Sequence, residues 1–244
     1  MSIETFFDKI FVINLARRTD RWQQCLEEFE RFKITKFERF EGYPHPTDGR
    51  HGCTRAHREL LRKIAAGSWE RVLVLEDDFK VLTLPDLTEG GFTPESEVVK
   101  TFLSAPGGFH RRFDYMVSLV PSDWDVIYLG GGYGEPPIAR VHKHVVRCGF
   151  MLTTSSYGIT KRFARVWTDG VDAAVRSAAM EQGVDLLEVH PGPIDNTFGS
   201  FAHAHNYYVF QPRLMIQRPG FSDLTEKPER YLLSMTDPAH EGMV

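Results

Sequence analysis

The chain has 244 residues, of which 42% are hydrophobic and 25% are charged, a composition typical of globular proteins. Lysine and arginine total 29 against 33 aspartate and glutamate, for a net charge of −4. No overall positive field is therefore available to hold a polyanion. These values exclude disordered, collagen-like and coiled-coil chains, and they argue against nucleic acid as the main partner.

The three cysteines, Cys25, Cys53 and Cys148, are widely spaced and include no C-x-x-C pair. This spacing indicates neither a disulfide framework nor a thiolate zinc site, and reduced thiols are typical of cytoplasmic proteins. The N-terminal residues lack the basic region of a signal peptide, and no apolar run approaches the ~18–20 residues that span a bilayer. The sequence therefore predicts a cytoplasmic protein without a transmembrane segment.

Strand-like and helix-like segments alternate along most of the chain. In chain order the predicted elements are strand 10–14, helix 19–32, strand 37–40, helix 54–66, strand 71–76, strand 124–129, strand 145–152, mostly helix 155–179, helix 194–202 and strand 207–210. Such alternation predicts a single α/β domain over 1–244 with a mostly parallel central sheet flanked by helices.

Residues 82–122 interrupt this pattern with Pro, Gly and mixed polar residues, and only 95–103 has helical character. We interpret this segment as an insertion-like connection, because long irregular connections are usually functional or mobile. It includes an aromatic and basic run from Phe109 to Tyr115 that contains Arg111 and Arg112. This run suggests an acceptor-binding wall or a lid.

Three adjacent carboxylates, Glu76, Asp77 and Asp78, directly follow the apolar strand at 71–76. Ligands of open α/β sheets bind at the carboxyl ends of strands. Adjacent carboxylates repel one another, and a hard cation such as Mg²⁺ or Mn²⁺ compensates for that repulsion. This feature alone fits phosphatases, nucleases, nucleotidyltransferases and glycosyltransferases equally well.

Five segments narrow the choice when they are taken together. They are FVINLARRTDR from Phe11, EG from Glu41, GCTRAH from Gly52, VLVLEDD from Val72 and WDVIYLG from Trp124. Their order and separations resemble glycosyltransferase family 25, the family of lipopolysaccharide-type sugar transferases and collagen galactosyltransferases. The resemblance covers residues 9–223, and Ala56 departs from the serine that the family usually has there.

The resemblance implies a GT-A type fold and an inverting transfer of a hexose from a UDP-sugar, with Mn²⁺ or Mg²⁺ as cofactor. The acceptor would be a glycan, a lipid-linked sugar or a protein hydroxyl. Asp78 and Asp223 are the implied metal-site residues. The candidate donor contacts are Asn14, Arg17, Arg18, His57, Glu76 and Asp77.

An inverting transfer also needs a base that takes the proton of the acceptor hydroxyl. The base must lie across the sugar from the metal, and Asp195 in the segment PIDN resembles the family's downstream acidic position. We therefore expect Asp195 to be the catalytic base.

Two other functions remain open at this stage. A nucleotidyltransferase also places carboxylates at a strand end, but it usually has a Gly-rich basic loop after the first strand. A non-catalytic protein that binds sugar nucleotides or glycans is the other alternative. Turnover of UDP-sugars would exclude the non-catalytic protein, and pyrophosphate release would favour the nucleotidyltransferase.

Overall fold

The computed structural model describes residues 1–45, 48–186, 189–222 and 227–229. The helices are α1 (Ile3–Phe6), α2 (Thr19–Phe32), α3 (Gly49–Ala66), α4 (Leu84–Glu89), α5 (Glu97–Ser104), α6 (Phe109–Ser118), α7 (Lys161–Gln182) and α8 (Ile194–Ala202). The strands are β1 (Lys9–Asn14), β2 (Glu38–Glu41), β3 (Arg71–Glu76), β4 (Phe79–Val81), β5 (Val126–Tyr128), β6 (Gly132–Tyr133), β7 (Ala139–His142), β8 (Val145–Arg147), β9 (Met151–Leu152), β10 (Ser156–Thr160), β11 (Tyr207–Phe210), β12 (Met215–Gln217), β13 (Gly220–Ser222) and β14 (Lys227–Glu229). No helix in these ranges is long and apolar enough to cross a bilayer.

The central sheet has eight strands in the order β2-β1-β3-β10-β5-β11-β8-β7. Strand β1 is parallel to β2 and β3, and β11 is parallel to β5. Strands β10 and β8 run antiparallel to their neighbours, so the other six strands share one direction. The predicted α/β fold, with a mostly parallel central sheet flanked by helices, is confirmed.

Strand β10 corrects the prediction of mostly helical structure from residue 155 onward. It lies in the middle of the sheet and pairs antiparallel with β3 on one side and β5 on the other. Gly158 allows this close packing, because a Cβ there would lie 2.5 Å from the ring of Phe7. Helix α7 begins only after Thr160, whose side chain accepts a hydrogen bond from the backbone of Phe163.

Both faces of the sheet are buried, and side chains alternate between the two along each strand. Val72 and Val74 of β3 face a core that includes residues of α3, α7 and α8. Leu73 and Leu75 face the opposite core, built with α1, α2 and α6. The helices thus cover both faces of the sheet. Because β1 and β3 are parallel neighbours, the residues that follow these strands meet at one edge of the sheet.

Residues 82–122 contain three helices, α4 to α6, rather than one. In α6 the side chains of Phe109 and Phe113 are buried in the core beside α1 and α2. The guanidinium of Arg112 is also buried, 3.6 Å from the ring centroid of Phe102. The aromatic side of this run and one of its two arginines thus form core contacts and are not available to an acceptor. A role of the exposed Arg111 in an acceptor-binding wall or a lid stays a prediction.

We expect Arg112→Ala to destabilise the fold, because it removes a buried cation–π contact worth about 2 kcal/mol. For a chain of this size that loss corresponds to a fall in melting temperature of about 4–8 °C. Arg111 is exposed and supplies the matched control, whose alanine variant should melt within ~1–2 °C of the wild type. Equal shifts in the two variants, measured by thermal unfolding, would contradict this packing.

Candidate active site

The acidic residues lie at the end of β3, next to the end of β1. Strand β3 ends at Glu76, and Asp77 and Asp78 form the turn before β4. Because β1 and β3 are parallel neighbours, Asn14, the last residue of β1, lies at the same edge. The three carboxylates of this acidic turn have different partners.

Asp77 is held by Asn14 and Arg21. The Nδ2 of Asn14 donates to Asp77 Oδ2 at 2.6 Å and to the carbonyl oxygen of Arg18 at 3.1 Å. An Nη1 of Arg21 donates to Asp77 Oδ1 at 2.8 Å and to Asp78 Oδ2 at 3.3 Å. Arg21 thus offsets part of the negative charge of the acidic turn. The amide nitrogen of Asn14 fixes the turn, which leaves only its side-chain oxygen for a nucleotide.

Asp78 is buried, with 7% of its surface exposed. Its Oδ2 accepts a hydrogen bond from Gln217 at 2.9 Å, and its Oδ1 has no partner among the described residues. Burial raises the pKa of Asp78 to about 7, the charges of Glu76 and Asp77 add to this rise, and Arg21 opposes it. A buried carboxylate with an unpartnered oxygen and a surplus of negative charge fits a divalent cation.

Glu76 is linked to the central strand β10 and its preceding loop. Its Oε1 accepts from Thr154 Oγ1 at 2.8 Å and lies 3.3 Å from His57 Nε2, while His57 Nδ1 lies 2.9 Å from the hydroxyl of Tyr157. Burial alone would raise the pKa of Glu76, but the hydrogen bonds from His57 and Thr154 outweigh it and the pKa is lowered. Glu76 is therefore held in its ionised form.

The expected donor contact through His57 is corrected by this geometry. His57 is fully buried and both ring nitrogens face protein partners, Tyr157 and Glu76. It therefore positions Glu76 instead of reaching a donor directly. Tyr157 and Thr154 were not among the predicted site residues, and recognising β10 as a strand beside β3 would have indicated them.

Arg17 and Arg18 follow β1 at the same edge. Arg17 is exposed in the turn. The guanidinium of Arg18 donates from Nε and Nη2 to the two carboxylate oxygens of Asp20, at 3.0 and 2.9 Å, and this lowers the pKa of Asp20 to about 2. Both arginines thus lie at the same edge of the sheet as the acidic turn, and phosphate binding by either stays a prediction.

Helix α3 begins at Gly49, five residues before the predicted start. The side chain of Asp48 caps it by accepting from the backbone nitrogen of Arg50 at 2.9 Å. Because a carboxylate already holds this N-terminus, the segment from Gly52 to His57 is not a free helix end for an anion. A Cβ at Gly52 would lie 2.0 Å from the carbonyl oxygen of Tyr43, so only glycine permits this approach.

Asp195 is half-buried near the start of α8 and accepts a hydrogen bond from the backbone nitrogen of Asn196 at 2.9 Å. Burial raises the pKa of the Cys53 thiol, and the charges of Glu76, Asp78 and Asp195 add to this rise. The carboxylates of Asp195 and of the acidic turn therefore both raise the pKa of the same thiol, that of Cys53.

Asp223, the other predicted metal-site residue, lies outside the described residues.

Comparison with known proteins gives two relatives that match 65% of the chain. One, from Bos taurus, is named "Probable inactive glycosyltransferase 25 family member 3" and is 23% identical over 191 residues. The other is procollagen galactosyltransferase 1 of Danio rerio, 25% identical over 193 residues. The matched region spans 28% of the length of each relative. No protein-family profile matches the chain.

A solved structure that resembles this fold is a glycosyltransferase involved in the glycosylation of the major capsid of PBCV-1. It is 12% identical with a TM-score of 0.46, and the match covers 86% of this chain and 92% of the other.

The two sequence relatives define the class of protein to which the chain is similar: it is a homologue of glycosyltransferases. The family to which it is similar is glycosyltransferase family 25. The resemblance seen in the five sequence segments is therefore confirmed.

Proposed function

We propose that the chain is a metal-dependent, inverting glycosyltransferase that moves a hexose from a UDP-sugar to a hydroxyl of a glycan, a lipid-linked sugar or a protein. The observation that supports this most strongly is the buried Asp78 carboxylate, which lies beside two further carboxylates and has one oxygen without a partner in the part of the chain that the structure describes. A cluster of carboxylates with net negative charge repels a diphosphate unless a cation is present.

Asp78 would hold the Mn²⁺ or Mg²⁺, together with Asp223 as the resemblance implies. When bound, such an ion neutralises the charge that develops on the departing diphosphate. Arg21 and Gln217 orient the Asp78 carboxylate through its Oδ2. Because these partners contact Oδ2, Oδ1 is the oxygen that would bind the metal. Hydrogen bonds of this kind fix the orientation of a metal ligand.

The donor would lie across the ends of β1 and β3. Arg17 and Arg18 would contact its phosphates, because a guanidinium binds phosphate oxygens with two parallel hydrogen bonds. Asn14 Oδ1 would face the nucleoside, since the Nδ2 of that residue is engaged. Glu76 and Asp77, both held by protein donors, would contact the ribose or the transferred sugar.

Asp195 would act from the opposite side of the sugar. Its carboxylate would accept the proton of the acceptor hydroxyl as that oxygen attacks the anomeric carbon, and the bond from that carbon to the diphosphate would break. Attack on the face opposite the leaving group inverts the anomeric configuration. The position of Asp195 on α8, outside the acidic turn, suits this separation of the two roles.

A non-catalytic protein that binds sugar nucleotides is the second candidate, because the bovine relative is named as inactive. Both candidates are tested by incubating the chain with a panel of UDP-sugars, Mn²⁺ and candidate acceptors, and following UDP release by mass spectrometry. Transfer from one donor supports the proposal. Donor binding without turnover favours the second candidate, and pyrophosphate release from a nucleoside triphosphate would indicate a nucleotidyltransferase.

The raised pKa of Asp78 predicts how pH affects stability. Between its usual value of 3.8 and the folded value of about 7, the folded protein binds more protons than the unfolded chain. The contribution of this group to stability is therefore full below pH 3.8 and is lost as the pH rises through about 7. We expect Mn²⁺ to raise the melting temperature more at about pH 8 than at about pH 6, because protons compete for Asp78.

In Asp78→Asn this pH dependence should disappear, and the metal-free variant should be more stable than the wild type at about pH 8. Thermal unfolding at both pH values, with and without Mn²⁺, measures the effect. A Mn²⁺ shift that is independent of pH in the wild type would contradict the assignment of Asp78.

A further inference from the structure

The side chains of Cys53, His57 and Glu76 form a second cluster of potential ligands beside the acidic turn. Their ligand atoms all lie within 4.8 Å of one another. His57 is fully buried, and Cys53 and Glu76 are half-buried. Cys53 and His57 are four residues apart on α3 and so share one face of the helix, while Glu76 ends the neighbouring strand β3.

We infer that Cys53 Sγ, His57 Nε2 and Glu76 Oε1 bind a thiophilic divalent cation of the zinc type. The separation of 3.3 Å between His57 Nε2 and Glu76 Oε1 equals the ~3.3 Å expected between two ligands about 2.0 Å from a tetrahedral zinc ion. A zinc-bound thiolate would lie ~3.6 Å from either atom. The thiol therefore has to move by little more than 1 Å (roughly, from these bond lengths) to complete the site.

The surroundings of two of these ligands resemble those of a metal site. The ring nitrogen of His57 that faces away from the cluster is hydrogen-bonded to the Tyr157 hydroxyl, and Glu76 Oε1 accepts from Thr154. Metal-ligating histidines and carboxylates usually have such outer hydrogen bonds, which fix their orientation. Three protein ligands leave the fourth position open to water or another molecule.

The chemistry of the donors separates this site from the one at Asp78. Thiolate and imidazole favour zinc, whereas Mg²⁺ and Mn²⁺ favour oxygen ligands. On binding, the S–H bond of Cys53 breaks, a bond from sulfur to the metal forms, and one proton passes to the solvent. The neutral ring of His57 carries its proton on Nδ1, beside the Tyr157 hydroxyl, so that the lone pair of Nε2 binds the metal in place of the contact with Glu76. Thiolate and carboxylate together balance the charge of the cation, and no oxidant or reductant is needed.

A nucleophilic role for Cys53 fits these contacts less well. Both ring nitrogens of His57 already face other partners, Tyr157 and Glu76, so neither is placed to take a proton from the thiol. Burial and the nearby carboxylates also raise the pKa of the Cys53 thiol, which disfavours a free thiolate.

This site has a consequence for activity that depends on the proposed function. Glu76 belongs to both the zinc-type cluster and the predicted donor site, so a zinc ion would withdraw it from the donor and place a second positive charge beside Asp78. Zn²⁺ should therefore inhibit Mn²⁺-dependent transfer, and Cys53→Ala should relieve that inhibition.

The binding test uses Co²⁺ as a spectroscopic probe with the full chain and no donor, so its result is independent of whether transfer occurs. We expect a thiolate-to-cobalt charge-transfer band at one equivalent of Co²⁺, lost when Zn²⁺ is added. The band should be absent in Cys53→Ala and kept in Cys148→Ala, a matched change at a buried cysteine. Absence of the band in the wild type, or its persistence in Cys53→Ala, would overturn the site.

A second readout needs no variant. Zn²⁺ should protect Cys53 of the wild-type chain from alkylation, whereas Mn²⁺ at the same concentration should not, as measured by mass spectrometry of the labelled peptide. Equal labelling with and without Zn²⁺ would overturn binding at this thiol. Zinc binding that leaves transfer unchanged would overturn the inhibitory role alone.

Discussion

Asp78→Asn should abolish metal-dependent transfer while leaving the fold intact. The substitution keeps the shape of the side chain but removes the charged oxygen that would hold the cation, and the amide can still lie beside Arg21 and Gln217. A metal ion contributes several kcal/mol to stabilisation of the transition state, so turnover should fall by about 10²-fold or more. The measurement is UDP release from the active donor at saturating Mn²⁺.

Asp169→Asn is the matched control for this substitution, because Asp169 is exposed on α7 and the change alters the charge by the same amount. It should keep wild-type turnover. Full activity of Asp78→Asn, or wild-type activity in excess EDTA, would contradict the role given to Asp78.

Asp195→Asn should reduce turnover by about 10²–10⁴, the usual contribution of a general base. Affinity for UDP and Mn²⁺ should stay near that of the wild type, because Asp195 lies on α8 and outside the acidic turn. Single-turnover rates and UDP binding, measured separately, distinguish the two effects. Asp169→Asn again serves as the control.

A parallel loss of donor affinity and turnover in Asp195→Asn would place this residue in the donor site or in the scaffold. An unchanged rate would exclude it as the base. Either result would leave the assignment of Asp78 to be judged on its own measurements, because the two residues lie on separate elements.

The elements that local pattern determines were predicted well from the sequence. Helix α8 (Ile194–Ala202) and strand β11 (Tyr207–Phe210) have the predicted bounds, because each has a clear change of periodicity at its ends. Helix α2 (Thr19–Phe32) also has the predicted bounds, and Arg18 is its N-cap residue.

The misses arise from contacts between distant segments. Strand β10 directly precedes a long helix, and the sequence pattern predicts both as one helical segment. The pairing of β10 with β3 and β5, which local pattern does not reveal, makes it a strand. The early start of α3 depends on Asp48 as its cap. The carboxylates of Glu76, Asp77 and Asp78 were predicted as site residues because they follow an apolar strand. Their partners Asn14 and His57 were predicted to contact the donor instead.

Arg21 shows why those partners could not be assigned from sequence. Its guanidinium contacts Asp77 and Asp78, more than fifty residues away in sequence, and only the adjacency of β1 and β3 brings them together. The same adjacency, with α3 packed beside it, encloses His57 and makes it a support for Glu76.

In the proposed site the Asp78 carboxylate holds a divalent cation through which a nucleoside diphosphate binds. The most direct test of this role is a calorimetric titration of UDP into the wild-type chain and into Asp78→Asn, each with and without Mn²⁺. We predict that UDP binds the wild type much more tightly with Mn²⁺ than without, and that Mn²⁺ makes little difference in Asp78→Asn. Equal UDP affinity of the wild type with and without Mn²⁺, or full Mn²⁺ dependence in the variant, would contradict this role.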